Sequence, residues 1–199
     1  HRDLHSFPTR RSSDLVSVIY RLWSRFRSLQ VIQHLGALVP PQIGGIAARL
    51  SADCLNALVC DWIDEAHETG LHRCGLVIDL KKCFNLIPRS TLAKLMHKLK
   101  IPGRYITAHQ SMLDGLRRLV EVAGQVGDEH FSTCGVPEGC AFSVVSMVTL
   151  TILAAEIMQD GNAGISIVMY ADSWELSAVS VSLLREAIAR LERLVSSLG

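Results

Sequence analysis

Cys74–Leu80, CGLVIDL, and Ile165–Asp172, ISIVMYAD, are two short apolar runs that each end on or beside an aspartate. Both are rich in β-branched residues and too short for a stable helix, the pattern of buried strands. A carboxylate delivered to the tip of a buried strand is costly unless it is paired or holds a cation. If the two strands lie side by side, Asp79 and Asp172 meet across 93 residues of chain. Their mutual repulsion then favours a divalent metal, and Mg²⁺ prefers carboxylate and phosphate oxygens. Taken alone, the strands favour the plainer reading, in which both aspartates are capping or turn residues.

Working outward, the period changes on either side of these runs. From Val16 to about Leu38 the residues Ile19, Leu22, Trp23, Phe26, Leu29, Ile32 and Leu35 recur at steps of three and four, predicting an amphipathic helix with arginines on its other face. Pro40-Pro41 ends it. Ser51 or Asp53 caps a second helix to about Glu68, with Leu55, Leu58, Val59, Trp62 and Ile63 as its expected core stripe, and Gly70 stops it. Pro88 and Pro102 start two further helices, Arg89–Leu99 and one to about Leu116. Leu119–Ala123 reads as a strand followed by a turn. A long apolar helix follows GVPEG and runs to Met158, Glu175–Ala178 returns as a hairpin partner of the second apolar run, and Leu183–Leu198 is a last helix. Strands mixed with helices in this order indicate an α+β domain.

Composition limits the partners. The chain has 199 residues and 49% hydrophobic residues, enough for one domain with a sizeable core. Residues 1–15, HRDLHSFPTRRSSDL, are polar and without period. They resemble the translation of a sequencing-library adapter, a native disordered arm or a basic targeting tail being the other readings, and are set apart from a domain over 16–199. Without them Lys+Arg falls from 20 to 17 and Asp+Glu from 19 to 17, so net charge announces no nucleic acid. Its distribution does more. Arg21, Arg25, Arg27 and Arg49 stand in residues 16–50 without an acid. Arg89, Lys94, Lys98, Lys100, Arg104, Arg117 and Arg118 face only Asp114 in residues 88–119. Such stretches suit a phosphate-contacting face or solvated helix surfaces. No secretory signal pattern is present. Six cysteines form no CxxC pair, so reduced intracellular thiols are expected, and His67, His72, Cys74 and Cys83 match no zinc spacing. The uncharged run Cys140–Ala155 is short for a membrane span and carries Ser143, Ser146, Thr149 and Thr151, so a buried helix is expected.

Longer motifs around the two aspartates change the balance. LVIDLKKCFNLIPR (76–89) resembles the first catalytic motif of reverse transcriptases, an Asp followed five positions on by an aromatic residue. GVPEGCAFSVV (135–145) resembles their Pro-Gln-Gly motif with its downstream Ser, and YADSWEL (170–176) their Tyr-x-Asp-Asp hairpin. VIYRLWS (18–24) and PPQIGGIAARLSA (40–52) resemble fingers segments. The order and spacing are those of the family over essentially all of 16–199.

The resemblance implies a right-hand polymerase fingers-and-palm, with a ferredoxin-like antiparallel palm sheet backed by helices and the thumb missing. It implies a non-LTR-type retroelement enzyme, an RNA-directed DNA polymerase transferring dNTPs onto a DNA primer on an RNA template with two Mg²⁺ ions, or Mn²⁺ in their place. Asp79 and Asp172 would be the metal ligands and catalytic residues, with the Leu80 carbonyl as a third donor. The backbone near Lys82 and Cys83 would face the triphosphate. Phe84 would sit under the sugar and leave no room for a 2′-hydroxyl, which argues against the alternative of an RNA-dependent RNA polymerase. Glu138 and Gly139 would lie against the incoming nucleotide, and Tyr170 and Ala171 near the primer end. Gln42 and Arg49 would touch the template, with Arg21 supporting the fingers. No membrane partner is implied, and the expected location is nucleus or cytoplasm.

Two residues depart from the family pattern. Ser173 replaces the second Asp of the hairpin, and Glu138 replaces Gln, which also suits a non-catalytic nucleic-acid-binding remnant. Both ends of the chain are expected to be cut, without the family's triphosphate-contacting arginine, primer grip and thumb. The chain as it stands should therefore bind Mg²⁺ and nucleic acid weakly and show no processive synthesis. Long products from the isolated chain in a primer-extension assay would refute that expectation.

Overall fold

A computed structural model describes residues 17–44, 51–119, 121–122, 124–137, 139–161 and 164–198. In chain order the elements are α1 (Val18–Leu35), α2 (Ala52–Thr69), β1 (Cys74–Asp79), α3 (Cys83–Leu86), α4 (Arg89–Lys98), α5 (Gly103–Asp114), β2 (Arg117–Arg118), β3 (Glu121–Val122), β4 (Gln125–Val126), β5 (His130–Phe131), α6 (Ala141–Gln159), β6 (Ile165–Tyr170), β7 (Ser173–Ala178) and α7 (Val181–Leu198). The starts expected for α2, α4 and α5 hold, while α7 begins at Val181, two residues before the expected Leu183. Ser51 Oγ accepts the Cys54 N–H, and Gly70 closes α2 at φ +65°. The short helix α3 escaped the sequence reading because four residues carry no period.

The two apolar runs belong to one antiparallel sheet, but they are not neighbours. The strand order is β1-β7-β6, so the return strand β7 lies between them. β1 is an edge strand whose residues alternate between half-buried and exposed, with Val77 70% exposed, so it is not the buried strand expected. Cys74, Leu76 and Ile78 face the core while Gly75, Val77 and Asp79 face outward. β6 is more deeply buried, and residues 42–44 lie along it: Gly44 N–H donates to Met169 O at 2.8 Å and Met169 N–H to Gln42 O at 3.0 Å. Of the strand expected at Leu119–Ala123, Glu121–Val122 form β3 and pair with β4, residues 120 and 123 lie outside the described residues, and a second two-residue ladder joins β2 to β5.

α6 is the spine. It is long and apolar enough to cross a bilayer, yet 67% of it is buried inside the protein against α1, α4 and α7. Its hydroxyls are satisfied along the helix, Ser146 donating to Phe142 O, Thr149 to Val145 O and Thr151 to Met147 O. Phe142 is fully buried, with the Trp23 ring 5.7 Å and the His109 ring 4.7 Å from its own.

α1 turns a different face to this spine than its hydropathy suggests. Ser24, Ser28, Val31 and Leu35 are buried, whereas Ile19, Leu22, Phe26 and Leu29 of the expected stripe are exposed. Two serines at the crossing let the helix backbones approach, and each bonds its own turn, Ser24 to Arg21 O and Ser28 to Arg25 O. Hydropathy scores size and polarity, whereas close packing selects for small side chains. α2 departs likewise: only Leu55 is buried, Ile63 is exposed, and an open cavity of about 620 Å³ separates Val59 and Trp62 from the outward sheet face at Val77 and Glu175.

Phe142→Ala should cost about 3–5 kcal/mol, the range for emptying a fully buried aromatic site. Phe26→Ser, in the stripe that sequence alone assigns to the core, should stay within about 0.5 kcal/mol. Urea denaturation of the two variants distinguishes the faces, and a Phe26 loss as large as that of Phe142 would contradict this packing.

Candidate active site

The register of the sheet decides what the two aspartates can do together. Asp79, the last residue of β1, pairs with Ser173, the first residue of β7. Tyr170 pairs with the same Ser173 from β6, so Ala171 and Asp172 form the two-residue turn between them. Leu80 N–H then donates to the Asp172 carbonyl at 3.0 Å, tying the end of β1 to that turn. Asp172 is thus one residue from the cross-strand partner of Asp79. The expected side-by-side strands were wrong, yet the aspartates are brought to one tip because the turn of the hairpin carries the second of them. Neither aspartate is fully buried, Asp79 being exposed and Asp172 half-buried.

Around this tip the chain is tightly folded. Ala171 is held at φ +51°, a conformation uncommon for a residue with a Cβ, and its carbonyl accepts Trp174 Nε1–H at 2.9 Å. Lys82, at φ +55°, turns the backbone from Leu80 into α3, and Cys83 N–H donates to Leu80 O at 3.3 Å. The Cys83 thiol is half-buried beside Met147, Sγ to Sδ 3.5 Å. Burial, and then the Asp172 carboxylate, push it up to about 11, so it remains a neutral thiol. Phe84 is half-buried against the core, and Tyr170 is 39% exposed beside the turn.

A second wall comes from the loop after β5. Val136 N–H donates to Phe84 O at 2.7 Å and Gly135 N–H to Ile87 O at 2.8 Å, which seats the loop on α3. Gly135 has φ +79°, and a Cβ there would collide with the Asn85 backbone carbonyl. Ser143 Oγ donates to Pro137 O at 2.8 Å from the first turn of α6. Between these anchors Gly139, at φ +80°, borders open space.

Of the residues singled out in the sequence, Asp79, Leu80, Lys82, Cys83, Phe84, Gly139, Tyr170, Ala171 and Asp172 lie on the β1–α3 connection, the loop before α6, or the β6–β7 turn. Gln42 is half-exposed beside β6. Glu138 and Arg49 lie outside the described residues. Arg21 is exposed on α1. Arg89 is not the surface phosphate contact expected: it is 8% exposed and donates to Gly135 O at 2.9 Å and Leu113 O at 2.8 Å. Its position in the first helical turn, where the dipole disfavours a cation, was the signal that it has another task.

Three residues unmarked by the sequence reading support the second wall from beneath. Tyr20 of α1 and His109 Nδ1 of α5 are 2.8 Å apart, and Cys140 Sγ donates to the Tyr20 hydroxyl at 3.7 Å. Burial, and then Cys140, push the phenol well above its usual range, so it stays protonated. Burial, and then the Arg89 guanidinium, push His109 down to about 4.

Oxygen donors dominate the strand tip: two carboxylates and the Leu80 carbonyl, with the nearby thiol protonated. Among the described residues no group of three or more His, Cys, Asp or Glu side chains gathers to hold a metal. Such a donor set fits a hard divalent ion that takes its remaining ligands from phosphate and water.

Comparisons with known proteins agree with this architecture. A family model described as reverse transcriptase (RNA-dependent DNA polymerase) matches residues 9–199. A search of curated protein sequences gives no match. Among solved structures, apo telomerase from Candida tropicalis, truncated from its C-terminal domain, superposes with a TM-score of 0.59 at 12% identity, over 87% of this chain and 37% of that one. Telomerase from Candida albicans, in complex with the TWJ fragment of telomeric RNA, superposes with a TM-score of 0.62 at 12% identity, over 90% and 33%. At such identity the likeness is one of fold, and the chain spans about a third of those telomerase chains.

His109 gives a prediction for the support beneath the wall. The unfolded chain takes up a proton near pH 6.5 and the folded one only near 4, so stability should fall as pH drops through that window. The loss attributable to His109 should be about 3 kcal/mol between pH 7 and 4. Denaturation of the unaltered chain and of His109→Gln at both pH values isolates it, and equal acid sensitivity in the two would count against a buried neutral His109.

Proposed function

The chain belongs to the reverse transcriptase family, and from that footing we propose that it holds the nucleotidyl-transfer centre of an RNA-directed DNA polymerase of retroelement type. One observation supports the proposal: the Asp79–Ser173 register and the Leu80 N–H to Asp172 O bond bring the backbones of the two aspartates to one strand tip.

Asp79 and Asp172 would hold Mg²⁺, or Mn²⁺, with the Leu80 carbonyl available as a further donor. Bound there, the metal ions supply Lewis-acid stabilisation of the charge that develops on the phosphate. The protein's own part is positioning. Backbone N–H groups around Lys82 and Cys83 receive the triphosphate. The Phe84 ring lies under the sugar and leaves no space for a 2′-hydroxyl, so dNTP is favoured over NTP. Gly139, bare of side chain and bordering open space, admits the nucleotide on the other side. Tyr170 and Ala171 lie at the primer end. The outward face of β1, β7 and β6, with Gln42 at its margin, would take the template–primer, a reading supported by the open cavity between it and α2 and by the RNA held in the Candida albicans telomerase complex.

A second reading, a nucleic-acid-binding remnant without catalysis, is favoured by Ser173, which offers a hydroxyl opposite Asp79 where the family pattern has a carboxylate.

The test is single-nucleotide addition to a DNA primer on an RNA template with Mg²⁺. Asp79→Asn and Asp172→Asn should each slow incorporation at least about a hundred-fold, the scale of losing a metal ligand, without altering the thermal melt. Unchanged rates in both variants would sink the polymerase reading. Template–primer binding with no incorporation by the unaltered chain would favour the remnant.

A further inference from the structure

We propose that Arg89 is a positioning residue for nucleotide selection, setting from behind the gap between Phe84 and Gly139. The proposal rests on the polymerase reading for its substrate, while the contacts stand independently of it.

A cation 8% exposed needs a reason to be buried. Among the described residues, no carboxylate is bonded to Arg89. Its Nε donates to Gly135 O and its Nη1 to Leu113 O, two main-chain carbonyls from segments 46 and 24 residues away. The Leu113 carbonyl belongs to the end of α5 and also accepts the Leu116 N–H at 3.3 Å, so Arg89 takes its second acceptor position. Gln110 Nε2–H donates in turn to Arg89 O at 3.0 Å; burial, and then the Arg118 guanidinium, act against the Arg89 charge, and Asp114 at the same helix end partly offsets them. The planar fork of arginine can meet two carbonyls in fixed directions, which a lysine ammonium cannot.

The carbonyl at Gly135 is one foot of the loop that ends at Gly139. On one side, Gly135 and Val136 bond to Ile87 and Phe84, and only glycine fits against Asn85. On the other, Arg89 draws the Gly135 carbonyl towards α4. The far foot is Pro137, held by Ser143. Residues 135–137 are therefore held at both ends, and Gly139 follows two residues beyond Pro137, just before α6. Because Phe84 supplies the floor through the same backbone that seats Val136, the floor-to-wall distance depends on Arg89 although its guanidinium lies outside the gap. A loosened loop should weaken nucleotide binding more than it slows the chemical step at the aspartates.

Arg89→Lys, Arg89→Met and Gly135→Ala separate these effects, the last disturbing the same foot with the guanidinium intact. Each should raise the KM for dNTP roughly ten-fold, the change for one charge-assisted hydrogen bond, leave kcat within about three-fold, and leave template–primer affinity unchanged. Amide hydrogen exchange should show faster exchange at Gly135 and Val136, with the Leu80 amide still protected. Should Arg89→Met fail to fold, the other two variants carry the test. Unchanged KM, or protection lost at Leu80 together with Gly135, would overturn the assignment in favour of a merely structural arginine. If the unaltered chain adds no nucleotide, the polymerase reading fails, while the exchange pattern still decides whether Arg89 fixes the loop.

Discussion

Antiparallel register is the constraint from which the site follows. In a sheet the side chains alternate faces, so a slip of one residue between β1 and β7 would turn Asp79 to the helical side and bring Ile78 to the open one. What holds the register is the core face: Cys74, Leu76 and Ile78 of β1 lie level with Ala178, Leu176 and Trp174 of β7, the last three buried. The hydrophobic pairing that stabilises the sheet therefore also fixes the position of the carboxylate on its other face. Leu80 completes the arrangement, since its N–H reaches the turn and its carbonyl receives Cys83 N–H, so one residue joins the strand tip to α3.

Behind the sheet, α6 resolves a conflict between composition and environment. A helix this apolar could sit in lipid, yet here α1, α4 and α7 enclose it, and its hydroxyls bond back to its own turns. Burial of most of its surface, against three helices, explains why no one stripe of it reads as the core face. Its first turn has a second task, because Ser143 anchors the loop that walls the site. Core and site thus share the residues around 137–143.

Polar groups in the interior are concentrated where segments distant in sequence must be fixed. Arg89 joins residue 89 to carbonyls at 113 and 135, and Tyr20 joins α1 to His109 and Cys140. Each such group gains its net stabilisation from matched geometry, and leaving one unmatched would cost more than the bond contributes. These contacts orient the loop before α6 where apolar packing, which is tolerant of sliding, would not.

Local chemistry made much of this legible in the chain itself. β-branched runs ending near Asp79 and Asp172, Ser51 and Gly70 as helix caps, and prolines before α4 and α5 each act through their own backbone, so neighbours in sequence suffice to read them. The family motifs likewise carry their order and spacing along one dimension. Tertiary structure alone decided that β7 separates β1 from β6, that Ser24 and Ser28 rather than Ile19, Leu22, Phe26 and Leu29 pack inward, and that Arg89 is buried. Those outcomes depend on which surfaces meet and how closely backbones can approach. Such distances arise between segments tens of residues apart, and no periodicity within one segment encodes them.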